Sequence, residues 1–298
     1  MSALDRKLAA ALSSREDRGI RRSLPPASLS HLPPTPGITS GHPPSIASTT
    51  TTASSSAQPT PPREAPVDFS SNDYLSLTTS TLLRARFLAT LNNSPAILGS
   101  GGSRVIVYNH AHAALEARLV RMFRAPAALI FNSGYDANVG FFACVLQPGD
   151  ALLYDEAIHA SVHDGARASR ISPRFRRPFV QNDVRAFRAA LWALRDESVA
   201  LKEGQSSVFV AVQSVYSMDG TVAPLRAMID AMDEIFPARN AHLVVDEAHA
   251  TGIYGRGGRG MVAQLGLEDR VLARLHTFSK TLAASGGAFD LWSLLSVY

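Results

Sequence analysis

From residue 67 onward the chain alternates short apolar runs with longer amphipathic stretches. Ala127–Phe131, Ala151–Tyr154, Val208–Gln213, His242–Val245 and Arg274–Phe278 are four to six residues long. That length and near-continuous apolarity suit strands buried on both faces. Between them, residues 80–92, 111–124, 134–146, 159–168, 183–195 and 224–235 carry helical spacing, with Asp183 at an N-cap position. The alternation predicts an α/β fold: a mainly parallel sheet covered by helices on both faces. Ligands in such sheets bind beyond the C-terminal ends of the strands. Ser133, Asp246 and Lys280 all fall at such ends.

The first 66 residues follow other rules. Leu4, Leu8, Ala11, Leu12 and Ile20 lie near helical spacing and predict a helix over 3–22, within an N-terminal segment 1–23. Residues 24–66 hold eleven of the 18 prolines and long Ser/Thr runs, with no acid before Glu64. Such a composition buries too little apolar surface to offset its ordering entropy, so this insert is expected to be a disordered linker. The globular body is expected over 67–288.

Composition narrows the function classes. The 298 residues are 46% hydrophobic, enough for one large core or two domains. The net charge is +4, of which +3 sits in residues 1–66, where no aromatics are interleaved; a nucleic-acid surface is not supported. No apolar run approaches the ~20 residues of a membrane span. The N-terminus carries no apolar signal core, so no secretory leader is expected. The single cysteine, Cys144, cannot form an internal disulfide and points to a reducing setting, the cytoplasm with peroxisome and mitochondrion as open alternatives; its apolar neighbours place it in the core.

The candidate chemistry centres on Lys280, one of only three lysines, at a predicted strand end in Thr277-Phe278-Ser279-Lys280. Taken alone it reads first as an ordinary surface lysine. A lysine whose pKa is lowered forms a Schiff base with an aldehyde cofactor. Pyridoxal phosphate needs such a lysine, an acid facing its ring nitrogen and a phosphate cradle. Asp246, after two apolar valines, is placed to be that acid, and His249 lies three residues on. Ser133-Gly134-Tyr135 opens a helix directly after a strand, where free amides and the helix dipole attract anions; Thr277 adds a hydroxyl. His159, at a helix start, can stack on a ring or simply cap the helix. Rival motifs fail on their missing partners. Asp246-Glu247-Ala248-His249 spells a helicase box, but none of the lysines follows a glycine. Gly255–Gly260 matches G-x-G-x-x-G without the acid that should follow about 20 residues later, and reads as a flexible loop. His159-Ala160-Ser161-Val162-His163 has alanine where a zinc protease needs glutamate, so no metal site is expected.

Seven motifs in order complete the picture: Ser71-Asn72-Asp73-Tyr74-Leu75, Gly99–Arg104, Asn132–Tyr135, His159-Ala160-Ser161, Tyr216–Gly220, Asp246–Gly252 and Thr277–Lys280. Together they resemble the α-oxoamine synthases. The resemblance implies a fold-type-I pyridoxal-phosphate enzyme and a homodimer with sites at the subunit interface. It implies Lys280 as the Schiff-base lysine, Asp246 on the pyridine nitrogen and His159 stacked on the ring. Ser217 and His249 would meet the ring hydroxyl, Ser133, Gly134, Tyr135 and Thr277 the phosphate, and Arg22 and Asn72 the substrate. The implied reaction condenses an amino acid with an acyl-CoA and loses carbon dioxide. The most similar branch uses L-alanine and pimeloyl-CoA in biotin synthesis; sister branches use glycine or serine. The chain departs from the pattern in three places: the 24–66 insert, a missing glycine in Val105–Tyr108, and an end to the match at Ala288. Residues 289–298 read as a non-family tail where a small C-terminal domain would follow. A catalytically impaired fragment or a regulatory paralogue is therefore an open alternative.

Overall fold

The computed structural model describes residues 3–19 and 68–291, except Ala96, Ser100, Val105 and Tyr108. Residues 1–65 and 66–298 form two separate units. In the first, helix α1 spans Ala3–Asp17. It is shorter than the spacing predicts. The chain turns at Gly19, which has φ +65° and donates its N–H to the Glu16 carbonyl at 2.9 Å. Arg22 and the 24–66 insert lie outside the described residues.

The second unit is built on a seven-stranded sheet: β1 (Ala127–Phe131), β2 (Ala151–Asp155), β3 (Arg176–Phe179), β4 (Val208–Gln213), β5 (Ala241–Asp246), β6 (Ala273–Thr277) and β7 (Gly287–Leu291). The strand order is β1-β7-β6-β5-β4-β2-β3. The β3–β2–β4–β5–β6 pairings are parallel, and β7 runs antiparallel between β6 and β1. Alternate residues of the apolar strands feed opposite faces. Leu153, Val210 and Val245 join Phe187, Leu191, Met228 and Ile229 on one face. Leu152, Phe209, Val244 and Leu275 join Phe141, Phe142 and Val162 on the other. The covering helices are therefore α6 (Val184–Glu197) and α8 (Leu225–Ile235) on one side, α4 (Gly134–Val145) and α5 (Ala160–Ala168) on the other.

The remaining helices are α2 (Thr81–Asn92), α3 (His110–Phe123), the short α7 (Val199–Lys202) and α9 (Met261–Leu265). Side-chain caps set several starts. Ser80 Oγ accepts from Leu83 N, Asn109 Oδ1 from His112 N, and Asp183 Oδ1 from Arg185 N and Ala186 N. α2 buries none of its residues, and Leu82 and Phe87 are more than half exposed.

Three expectations change. β3 has two arginines and Pro178, a composition that hides a strand from an apolar-run search but suits an edge. The boundary drawn after Ala288 falls inside β7, so Phe289, Asp290 and Leu291 belong to the sheet. Phe289 stacks on Phe141 with centroids 4.7 Å apart, and buried Asp290 binds Arg274 opposite it on β6 at 2.7 Å. His276 Nε2 lies 3.2 Å from the same carboxylate. An isolated aspartate reads as a turn; its cross-strand cation is what makes it a strand residue. Cys144 is exposed, because α4 turns Phe141, Phe142 and Val145 inward and carries Cys144 away from them.

Candidate active site

The strand ends gather the predicted residues. Ser133, Gly134, Tyr135, Asn138, His159, Gln213, Asp246, Ala248, Leu275, Thr277, Ser279 and Lys280 line a cavity of about 170 Å³. It lies where β1, β4, β5 and β6 end, as expected for this sheet type. A larger cleft of about 670 Å³ opens at the opposite edge, between Asp150, Ser207, Ala241 and Leu272, which precede or begin β2, β4, β5 and β6. It contains none of the motif residues.

One wall is a chain of polar groups, three of them buried and the last, His159, exposed. Asp246 is 6% exposed; its Oδ1 accepts from Ala248 N at 2.9 Å and its Oδ2 from Asn138 Nδ2 at 3.0 Å. Asn138 Nδ2 also donates to Ser161 Oγ at 3.0 Å, which lies 2.7 Å from His159 Nδ1. His159 is the N-cap of α5, and its Nδ1 accepts from Ser161 N at 3.3 Å. Because Nδ1 accepts, the ring of neutral His159 carries its proton on Nε2. The two readings of His159 are thus compatible: it caps the helix and lines the cavity. Tyr135 meets it edge-on at 5.8 Å and donates its hydroxyl to Asp164.

The floor is the N-terminus of α4. Ser133 caps it, accepting from Asp136 N at 3.0 Å. A Cβ on Gly134 would sit 3.1 Å from both Cβ and Oγ1 of Thr277, so only glycine lets this turn lie so near that hydroxyl. Thr277 Oγ1 and Ser279 Oγ are 3.1 Å apart. Amides and hydroxyls converge there as an anion cradle.

Lys280 forms the rim. Its Nζ is 2.8 Å from His249 Nε2. Burial lowers its pKa, and Asp246 opposes that shift. His249 is pushed down to about 4, first by burial and then by Lys280. Its Nδ1 is 2.7 Å from the Tyr74 hydroxyl, which also bonds Asn72 Oδ1 at 3.0 Å. Ser217 is exposed on the turn after β4 and is not among the lining residues.

Four contributors were not anticipated. Asn138 and Ser161 lie inside helices where nothing local marks them as polar links. Gln213 ends β4 and donates Nε2 to the Ala157 carbonyl at 2.9 Å. Glu247, fully buried, accepts from Ser214 Oγ, Met261 N and Val262 N. Burial raises its pKa, the strongest of its influences. It pins the Gly255–Gly260 loop to the β5 end, and a Cβ on Gly260 would lie 2.7 Å from its carboxylate. The loop expected to be flexible is bonded in place, Gly252 N donating to the Gly258 carbonyl at 2.8 Å.

Comparison with known proteins bears on this geometry. An 8-amino-7-oxononanoate synthase of Emericella nidulans is 50% identical over 223 residues, covering 74% of this chain and 54% of the relative. Aminoacyl transferase sphA of Aspergillus fumigatus is 44% identical, covering 74% and 47%. Among solved structures, a Sphingomonas wittichii serine palmitoyltransferase superposes with TM-score 0.63 at 28% identity, covering 74% of this chain and 51% of that one. A high-resolution structure of SPT with PLP superposes equally well, at 27% identity, covering 74% and 52%. The chain spans about half the length of the curated relatives it matches. The fold is that of the fold-type-I pyridoxal-phosphate proteins. The model of aminotransferase class I and II matches residues 64–289, and with that match the chain belongs to this family.

Proposed function

We propose that the sheet unit holds pyridoxal phosphate on Lys280 and serves an α-oxoamine synthase, which joins an amino acid to the acyl group of an acyl-CoA with loss of carbon dioxide. The observation that carries this reading is the convergence of Lys280, Asp246, His159 and the α4 N-terminus on one cavity. The donor set fits the cofactor part by part. The α4 amides with Thr277 and Ser279 would take the phosphate, and Asp246 the ring nitrogen. His159 would cover a ring face, and His249 would approach the ring hydroxyl. When bound, the cofactor's protonated ring draws electrons from the substrate α-carbon.

The protein's part is positioning and proton handling. Asn138 and the Ala248 amide hold the Asp246 carboxylate in place to keep the ring nitrogen protonated. A lowered pKa increases the fraction of neutral Lys280 amine, which serves both capture of an aldehyde and removal of the α-proton. Asn72, beside Tyr74 at the rim, is assigned near the substrate, and the family resemblance gives Arg22 to a substrate carboxylate. The Emericella relative supports the branch that makes 8-amino-7-oxononanoate, for which the family resemblance implies L-alanine and pimeloyl-CoA as substrates in biotin synthesis. The serine palmitoyltransferase neighbour favours a serine-using branch as the second reading. The exposed apolar side chains of α2 support pairing as a homodimer. Among the described residues no helix is long and apolar enough to cross a membrane.

The test is direct. The purified chain mixed with pyridoxal phosphate should develop a visible absorption band. Borohydride reduction and peptide mass mapping should place the label on Lys280. L-Alanine, glycine and L-serine added in turn should identify the amino acid by the change in the band, and thiol release from pimeloyl-CoA should identify the acyl donor. A label on Lys7 or Lys202, or a band surviving Lys280→Ala, would overturn the assignment.

A further inference from the structure

A second polar chain leaves the cavity in the opposite direction from the Asp246 wall: Lys280, His249, Tyr74 and Asn72, joined by contacts of 2.8, 2.7 and 3.0 Å. The directions of its bonds are constrained. As an ammonium, Lys280 has only N–H groups to give, so His249 Nε2 accepts from it. A neutral imidazole then carries its one proton on Nδ1 and donates it to the Tyr74 oxygen. Tyr74 is left with its hydroxyl proton, which goes to Asn72 Oδ1. With the ammonium at one end, every donor along the chain meets an acceptor in this sense.

The segment bearing Tyr74 is braced locally. Asp73 accepts from Leu77 N at 2.8 Å, Thr78 N at 3.1 Å and Thr78 Oγ1 at 2.5 Å. Asp68 Oδ1 accepts from Ser70 N and Ser71 N. Tyr74 reaches His249 across 175 residues of sequence, from a segment outside the sheet.

We propose that Tyr74 is a positioning residue: its hydroxyl holds His249 in the Nδ1–H tautomer and presents Nε2 as an acceptor to the Lys280 amine. The same acceptor would serve the ring hydroxyl of a bound cofactor, so the catalytic consequence rests on the function proposed above, while the tautomer does not. The other ionisable groups facing Lys280 and His249 are Asp246 at the end of β5 and His159 at the start of α5. The hydrogen bonds of the Tyr74 hydroxyl go to His249 and Asn72, not to either of these groups.

The experiment uses the full chain without cofactor, labelled with ¹⁵N-histidine and with ¹³C at lysine Cε. With only three lysines, the Lys280 resonance is identified by its loss in Lys280→Arg, and His249 by its loss in His249→Gln. The wild type should show His249 protonated at Nδ1. Tyr74→Phe should move it toward the Nε2–H tautomer. The Lys280 ammonium then loses an acceptor, and its titration midpoint should fall by about one unit. Asn72→Ala, which leaves the phenol in place, should retain the Nδ1–H tautomer. An unchanged tautomer and midpoint in a folded Tyr74→Phe protein would overturn the proposal, as would an Nε2–H tautomer in the wild type. Adding pyridoxal phosphate separates the two readings. A tautomer change without cofactor capture by the wild type leaves Tyr74 in its role and removes the cofactor; capture with an unchanged tautomer does the reverse.

Discussion

The two polar chains that meet at the cavity differ in burial, and the difference separates what holds the site from what tunes it. The wall, Asp246–Asn138–Ser161–His159, runs through helices α4 and α5 and the end of β5. Asp246, Asn138 and Ser161 are all less than a tenth exposed, and of this polar chain only the terminal His159 reaches solvent. The rim, Lys280–His249–Tyr74–Asn72, ends in exposed side chains, Tyr74 at 44%. A buried polar group that loses its partner bears its full desolvation cost, whereas an exposed one exchanges the partner for water. The wall should therefore fail through stability and the rim through chemistry.

Breaking the rim at its reactive end has the largest expected effect. Lys280→Ala should abolish covalent capture of pyridoxal phosphate, seen as loss of the visible band and of the borohydride-trapped peptide. The thermal midpoint should stay near that of the wild type.

Next is the wall. Asn138→Ala removes the donor to both Asp246 and Ser161 inside the protein. It should cost about 1–3 kcal/mol in a denaturant titration. The matching rim change, Asn72→Ala, should stay within about 0.5 kcal/mol. Equal losses would erase the distinction between the chains.

A smaller effect comes from pH. His249 titrates near 4 when folded, below the ordinary 6.5. Between these values the unfolded chain binds the extra proton, so His249 contributes stability that is complete above about 6.5 and is lost as pH falls toward 4. Lys280, also lowered, acts in the same sense at higher pH. Thermal midpoints across pH 4–7 should fall less steeply for His249→Gln than for wild type. Asp73 and Asp183, whose pKa values are lowered by hydrogen bonds, act below that window and cancel in the difference.

The smallest change tests the floor shared by both chains. Gly134→Ala places a methyl 3.1 Å from Thr277, so the turn must give by a few tenths of an ångström. Affinity for pyridoxal phosphate, followed by fluorescence titration, should weaken several-fold while the fold persists.

Local pattern along the chain carried the sheet class and most element positions, and it pointed to residues that the structure gathers at one cavity. The apolar runs of β2, β4, β5 and β6 and the Asp183 cap are local signals, and the structure has those elements where the spacing puts them. Lys280, Asp246, Gly134 and His159 were legible because strand ends and helix starts are the places where such sheets bind ligands. Only the tertiary structure decided the rest, because the deciding partners are far apart in sequence. Asp290 became a strand residue through Arg274, and Cys144 surfaced because its helix turns two phenylalanines inward. Asn138 entered the site through Asp246, 108 residues away, and Tyr74 through His249, 175 away. A hydrogen bond between distant residues leaves no period and no spacing in the chain; it exists only once packing brings donor and acceptor within about 3 Å.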